Sequence, residues 1–240
     1  MPTNNAINLL PFTQINIQRI TAPGAFTYTP TSNLLFAKVT LVGGGGGGGG
    51  TQGGVNAACS GGGASGSLVQ FILTAVQIGA SLNGTVGAVG TGGAAGGVNT
   101  GTAGGNTTLS TSSMWTASGG LGGIGGATIT SGNTFNAGGA AVINIVGTGL
   151  LLLNVIGQSG SFGILSLGNT ANAGDGGSNM IASGGIGRAA SVSSVVATPG
   201  QNATGNGGGG AGALNITFAG GSAGGNGSAG IAIFEEYITL

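Results

Sequence analysis

Phe36-Ala-Lys-Val-Thr-Leu-Val42 runs without a break into eight consecutive glycines, Gly43 to Gly50, and the reading of this junction decides the fold. The stretch Leu34–Val42 is apolar on both faces, with Leu35, Ala37, Val39 and Leu41 on one and Phe36 and Val42 on the other. That pattern suits a strand covered on both sides. Eight glycines in a row satisfy any period, so their meaning comes from the glycines around them. Of the sixty in the chain, all but Gly24 lie between residues 43 and 230.

Outward from that run, glycine recurs every third residue. Gly84, Gly87, Gly90, Gly93 and Gly96 form one series. Gly119, Gly122 and Gly125 repeat beside Gly120, Gly123 and Gly126, then Gly157, Gly160 and Gly163 follow, and Gly221, Gly224, Gly227 and Gly230 close the set. A period of three is neither the 3.6 of an α-helix nor the 2.0 of a strand. It is the repeat of the polyproline II conformation, three residues per left-handed turn with a rise of about 3.1 Å per residue. Glycine along one edge lets a neighbouring backbone approach with no Cβ in the way. Such a helix has no internal hydrogen bonds, so its N–H and C=O groups need outside partners. Packed side by side, these helices satisfy one another through N–H···O and Cα–H···O contacts. Collagen is excluded: it requires an unbroken register and roughly 15–20% proline plus hydroxyproline. Here there are five prolines, and Asn99, Thr102 and Met180 interrupt the register. The expectation is short threefold segments, about 20–45 Å long at 3.1 Å per residue, joined by turns and stacked as a bundle.

Composition tests that expectation. Glycine loses more backbone freedom on ordering than other residues, by roughly 0.5–1 kcal/mol each relative to alanine, so sixty of them oppose folding by on the order of 30–60 kcal/mol. Disordered chains, however, are charged and poor in aliphatics, whereas this one is 2% charged and 40% hydrophobic. The charges are Arg19, Lys38, Arg188, Asp175, Glu235 and Glu236, summing to zero, and histidine is absent. Three cations cannot neutralise a run of phosphates, which excludes nucleic-acid binding by charge. Without histidine, and with Cys59 alone, the parts of most nucleophile–base pairs and zinc sites are missing. The expectation is therefore no enzyme, no cofactor and no metal. Cys59 cannot form an intrachain disulfide and reads as a small buried thiol. Met1–Ile7 lacks the positive region of a secretory leader, and Ala140–Ile156 is broken by Asn144, Gly147, Thr148, Gly149 and Asn154. The expectation is synthesis in a cytosol without a standard leader and no membrane insertion.

The ends read as β-structure. Ile15 and Ile17 alternate with Asn16 and Gln18, Pro23-Gly24 marks a turn, Phe26 and Tyr28 share a face, and Pro30–Asn33 makes a second turn. Ile231–Leu240 alternates in the same way. Lys38 and the two glutamates are most of the charge available, so a cross-strand pair is expected where the first and last strands meet and clamp the middle. Ser67–Ile78, Ala141–Ile156 and Ala213–Phe218 are further strand candidates, and no segment has a sustained helical stripe. The fold class expected is mostly β and irregular, with essentially no α-helix: terminal strands clamping glycine-rich threefold segments. Residues 1–42 form an N-terminal β segment and attachment region, 43–230 the bundle with its loops, and 231–240 the closing strand, together one structural domain.

Candidate chemistry is sparse. Gly43–Gly50 follows a strand but has no helix or lysine after it, so it lacks the rest of a phosphate loop. Glu235 and Glu236 are adjacent, hence on opposite faces of a strand, and cannot act as a carboxylate pair. Asp175 offers a single carboxylate to a cation. Sequons such as Asn83-Gly-Thr85 and Asn215-Ile-Thr217 are expected by chance in an Asn/Thr-rich chain. Met114-Trp115, in a glycine-poor gap, carries two readings, core packing or a ligand-facing aromatic surface. Phe135 in Asn133-Thr-Phe-Asn136, and Phe162 in Gly160-Ser-Phe-Gly163, carry the same two. Met114, Trp115, Phe135, Asn136 and Phe162 are the receptor-facing candidates.

Tyr28-Thr-Pro30, then Phe36–Val42 running into Gly43–Gly50, resembles the glycine-rich domain of bacteriophage tail-fibre and tail-tip proteins. The likeness continues in Thr74-Ala-Val-Gln-Ile-Gly-Ala80 and ends in Gly230-Ile-Ala-Ile-Phe-Glu-Glu-Tyr-Ile238, spanning roughly residues 15–238. The resemblance implies a virion tail component, made in the host cytoplasm. It would recognise a host-surface glycan or outer-membrane protein through loops of a polyglycine-type bundle, alongside other tail proteins. The family has no fixed catalytic motif, so no site residue is carried over. Near-zero net charge favours association, which suits an oligomer such as a trimer. The alternatives are a purely structural subunit of a virion fibre or extracellular filament, and an ice-binding protein presenting flat Ala/Thr faces.

Overall fold

The computed structural model describes residues 13–54, 56–111, 114–129, 133–144, 147, 149–166, 170–191, 196–217 and 220–239. In chain order the first strands are β1 (Thr13–Ile20), β2 (Gly24–Tyr28), β3 (Leu34–Val42), β4 (Ala58–Cys59), β5 (Leu68–Thr74), β6 (Leu82–Val86), β7 (Thr107–Ser110), β8 (Met114–Ala117) and β9 (Asn133–Asn136). They continue as β10 (Leu150–Val155), β11 (Gly163–Ser166), β12 (Thr170–Asn172), β13 (Ala182–Ser183), β14 (Ala189–Ser191), β15 (Val196–Thr198), β16 (Thr204–Gly205), β17 (Leu214–Ile216) and β18 (Ile231–Thr239). A single one-turn helix, α1 (Ala75–Ile78), is the helical content of the described residues.

The strands gather at two ends of a glycine-rich middle. At one end a five-stranded sheet, ordered β1-β18-β3-β5-β10, packs on a four-stranded sheet, β2-β6-β7-β8. Tyr28, Val39, Leu41, Phe71, Leu109, Trp115 and Phe234 fill the space between them. At the other end the sheets β14-β12-β11-β9 and β15-β17-β4 enclose a smaller core of Cys59, Leu165, Ala171, Leu214 and Ile216. None of these sheets closes into a barrel.

Between the ends runs the bundle. Gly43–Gly50 leaves β3 and lies along its axis, and each of its N–H groups donates outward to a different neighbour in rotation. Gly43, Gly46 and Gly49 donate to the carbonyls of Ser67, Ala64 and Gly61. Gly44, Gly47 and Gly50 donate to those of Gly105, Thr102 and Asn99, and Gly45 and Gly48 to Ser228 and Gly225. The distances are 2.8–3.0 Å. Acceptor numbers fall as donor numbers rise, so these three neighbours run antiparallel. Its carbonyls accept from three parallel segments: Gly90 and Gly93, Gly120, Gly123 and Gly126, and Gly210 and Ala213. Six threefold segments thus surround one; the N–H groups of the run all find main-chain acceptors, and the carbonyls of Gly44 to Gly50 all find main-chain donors, the Ser60 hydroxyl adding a second at Gly49. Residues 60–67 and 207–213 are enclosed in the same manner.

The side-chain rule follows from this geometry. A Cβ on Gly45, Gly47 or Gly48 would lie 1.8–2.0 Å from a neighbour's carbonyl oxygen, so no row of the central segment admits one. In 119–126 a Cβ on two of every three residues would lie 1.9–2.5 Å from a neighbour's backbone, and the third row, Leu121 and Ile124, points outward. In 87–96, Gly87, Gly90 and Gly93 form the row against 99–105, while Ala88, Thr91 and Ala94 are exposed. Glycine per triplet therefore reports how many sides of a segment are walled. Few bundle glycines have positive φ; Gly96 (φ 86) and Gly221 (φ 68) do, at the turns of the far end.

The clamp forms as the sequence indicates. β18 lies between β1 and β3, and Lys38 pairs with Glu235 at 2.9 Å across the β3–β18 register. Phe26 and Tyr28 share a face, both meeting Phe234. Three details differ. Leu35 does not join the buried row of β3, because the register shifts as Phe36 pairs with Tyr237 and Leu34 with Ile238, leaving Leu35 bulged and exposed. The candidate strand Ser67–Ile78 stops at Thr74, whose side chain and that of Gln77 form a reciprocal capping box on α1. Of the other two candidates, Leu150–Val155 and Leu214–Ile216 are the parts that pair among the described residues, and residues 145, 146, 148 and Phe218 lie outside them.

Candidate functional site

The receptor-facing candidates divide between the two ends of the bundle. Met114 and Trp115 lie on β8, at the end that carries β1 and β18. Trp115 is 0% exposed and stacks on Phe71 with ring centroids 3.8 Å apart. Placing Trp115 at the surface is therefore corrected: an indole on a strand between two packed sheets is their largest core side chain. Its neighbour Met114 alternates outward and is 51% exposed.

The same end holds a buried carboxylate. Glu236 is fully enclosed and accepts from five donors on three elements: Tyr28 Oη at 2.7 Å, Thr31 N at 3.0 Å, Thr31 Oγ1 at 2.6 Å, Asn16 Nδ2 at 2.7 Å and Gln18 Nε2 at 2.9 Å. Burial alone pushes the Glu236 carboxyl up, but the hydrogen bonds from Thr31, Tyr28 and Asn16 outweigh it and hold the group below the usual carboxylate range. Tyr28 is raised above its ordinary value by burial and by the Glu236 charge beside it. This cluster explains why Asn16 and Gln18, and not Ile15 and Ile17, face inward on β1.

Phe135, Asn136 and Phe162 are at the far end, about 25 Å away along the central segment at 3.1 Å per residue. Phe135 stands on β9 directly opposite Ile164 of β11, and Phe162 leads into β11 two residues earlier. The side chains of Phe135, Ile164 and Phe162 are open to solvent, at 66%, 38% and 59% exposure respectively. Asn136 alternates inward and is half-buried, and its Nδ2 donates to the Cys59 carbonyl at 2.7 Å, so it ties β9 to β4. Cys59 is a buried free thiol, pushed up to about 12 by desolvation. Ile164 was not singled out from the sequence; its signal was the Phe162-Gly163-Ile164 alternation.

No group of three or more His, Cys, Asp or Glu side chains converges among the described residues, and none of their helices is long and apolar enough to cross a membrane. What the far end offers is an apolar, aromatic face on a sheet held by the bundle beneath it. Comparison with curated proteins finds no match. The model described as a glycine-rich domain matches residues 20–237, nearly the whole span from β1 to β18, and the chain belongs to that glycine-rich domain family.

Proposed function

We propose that this protein is an adhesin of a phage tail fibre or tail tip, fixed at the end that carries β1, β3 and β18 and presenting its far end to a host-surface glycan or outer-membrane protein. The observation that carries the reading is the exposed Phe135–Ile164–Phe162 face, at the opposite end of the bundle from the N-terminal strand. Contiguous apolar surface rimmed by polar residues marks interaction sites, and aromatic side chains dominate binding energy there. The reading is non-enzymatic. It rests on recognition by a rigid surface, since the backbone beneath is hydrogen-bonded throughout the enclosed segments. The purified, fluorescently labelled chain is expected to bind cells of at least one strain in a bacterial panel. The triple variant Phe135→Ser, Ile164→Ser, Phe162→Ser is expected to lose at least about tenfold in affinity, as for two or more hot-spot contacts, with its melting temperature unchanged. Binding to no strain, or equal binding by the triple variant, would overturn the reading.

A second reading, a structural subunit with no receptor, is favoured by β1 and β10, the edge strands of the five-stranded sheet among the described residues. Such edges template pairing with another chain. Concentration-dependent assembly without cell binding would select it.

A further inference from the structure

The flank of the bundle carries a groove that the far-end reading does not use. It lies where Gln158, residues 175–178 and residues 183–186 come together, has a volume of about 370 Å³, and has a floor of Gly176, Gly184 and Gly185. The floor is low because these rows lack side chains: a Cβ on Gly184 would lie 2.0 Å from the Gly176 carbonyl oxygen. Its walls carry Gln158, Asp175, Ser178, Ser183 and Ile186.

Three of these polar side chains are held by one atom and leave another free. Asp175 Oδ1 accepts from Gly187 N at 2.6 Å, leaving Oδ2 as an acceptor. Gln158 Oε1 accepts from Ser178 N at 3.0 Å, leaving its NH₂ as a donor. Ser178 Oγ accepts from Gly184 N at 3.0 Å, leaving its O–H as a donor. The groove therefore presents fixed donors and an acceptor close together, with an apolar wall at Ile186, which is 63% exposed. Pre-anchored side chains lose little freedom on binding.

The ligand chemistry follows by elimination. No lysine or arginine lines the groove and a carboxylate does, so an anion is repelled. One carboxylate is too few for a divalent cation. Donors and an acceptor side by side match adjacent hydroxyls, each of which both gives and takes a hydrogen bond, while Ile186 suits the C–H face of a ring. We infer that this groove binds a neutral saccharide, as a site separate from the Phe135 surface and independent of the adhesin reading.

Saturation-transfer NMR on the full chain tests this with D-glucose, D-galactose and N-acetylglucosamine, and with N-acetylneuraminic acid as the anionic control. Transfer to at least one neutral sugar, with millimolar affinity, is expected. Asp175→Asn keeps the bond to Gly187 but turns the free acceptor into a donor, and at least a tenfold loss is expected, about the effect of one lost hydrogen bond to a charged group. Ser183→Ala, at an exposed position, is expected to weaken binding without altering the melting temperature. The Phe135, Ile164 and Phe162 triple variant is expected to bind sugar as the parent does, so the two sites fail or stand separately. Absence of transfer to any neutral sugar would overturn the inference. So would transfer unchanged in both Asp175→Asn and Ser183→Ala, or binding of the acidic sugar as tight as that of the neutral ones.

Discussion

A single Cβ separates the two kinds of position in this bundle. At Gly47 it would lie 2.0 Å from the Thr91 carbonyl oxygen, and six surrounding main chains leave nothing free to move. Gly47→Ala is therefore expected to cost about 4 kcal/mol or more, the range reserved for disrupted cores. Leu121→Ala, on the outward row of its segment, is expected to cost about 1 kcal/mol or less. Equilibrium denaturation of both variants measures the contrast, and equal losses would contradict the account of glycine as absent side chain. Glu236 is the second residue on which much depends. Its folded pKa lies below the unfolded value, so its contribution is fully present above about pH 5 and is lost as pH falls through the unfolded value of about 4.3 toward the folded one. Glu236→Gln is expected to cost about 1–3 kcal/mol at neutral pH, and to flatten the fall in melting temperature as pH drops below about 5. An unchanged acid profile in the variant would show that other groups govern it. The Lys38–Glu235 pair is half-exposed and contributes less, about 1 kcal/mol at most.

At the scale of elements, the threefold segment inverts the usual relation between propensity and structure. A glycine-rich stretch is the worst candidate for order on its own, since it has no internal hydrogen bonds and the largest entropy to lose. It becomes ordered only when every neighbour is in place, which makes the enclosed segments the most cooperative part of the molecule. Amide exchange is expected to follow that enclosure. The N–H groups of Gly46, Gly47, Gly48 and Gly49 should exchange only through global unfolding. Those of exposed Ala94 and Ala95, on an outer row, should exchange orders of magnitude faster. Protection of 43–50 no greater than that of 94–95 would mean that the inter-segment bonds do not hold in solution. The sheets at either end are more conventional, and at the β1–β18 end the stacked Phe71–Trp115 and Tyr28–Phe234 pairs supply apolar burial that the bundle lacks.

For the whole molecule, the division into a strand-bearing end, a glycine middle and a far-end sheet sets where each proposed activity sits. The expected separation of cell binding (far end) from sugar binding (flank groove) belongs to this scale, because it depends on the bundle keeping the two sites apart.

Much of this architecture could be read along the chain. The period of three and the confinement of glycine to 43–230 are local patterns that periodicity reports directly, while the pairing of the terminal strands and the Lys38–Glu235 bridge are expected from alternation at the two ends and from the scarcity of charge. The Thr74-x-x-Gln77 capping box is missed, and Ser67–Ile78 reads as strand throughout, because a one-turn helix gives too short a stripe to announce itself. The candidate site was less legible. Sequence put Met114, Trp115, Phe135, Asn136 and Phe162 in one class because each is an aromatic, or its neighbour, set among Ser, Thr and Asn. Only the packing separates Trp115, buried between sheets, and Asn136, turned onto Cys59, from the exposed Phe135 and Phe162. The reversal of β1, with Asn16 and Gln18 inward, was invisible for the same reason: it answers to Glu236, more than two hundred residues away. What the sequence determined by itself is where the backbone must do without side chains, since glycine spacing states that outright. Which segments lie at the centre, which rows face solvent and which polar groups end up sharing a buried charge were decided only by tertiary structure, because a threefold helix has no partner within itself and takes its identity from its neighbours.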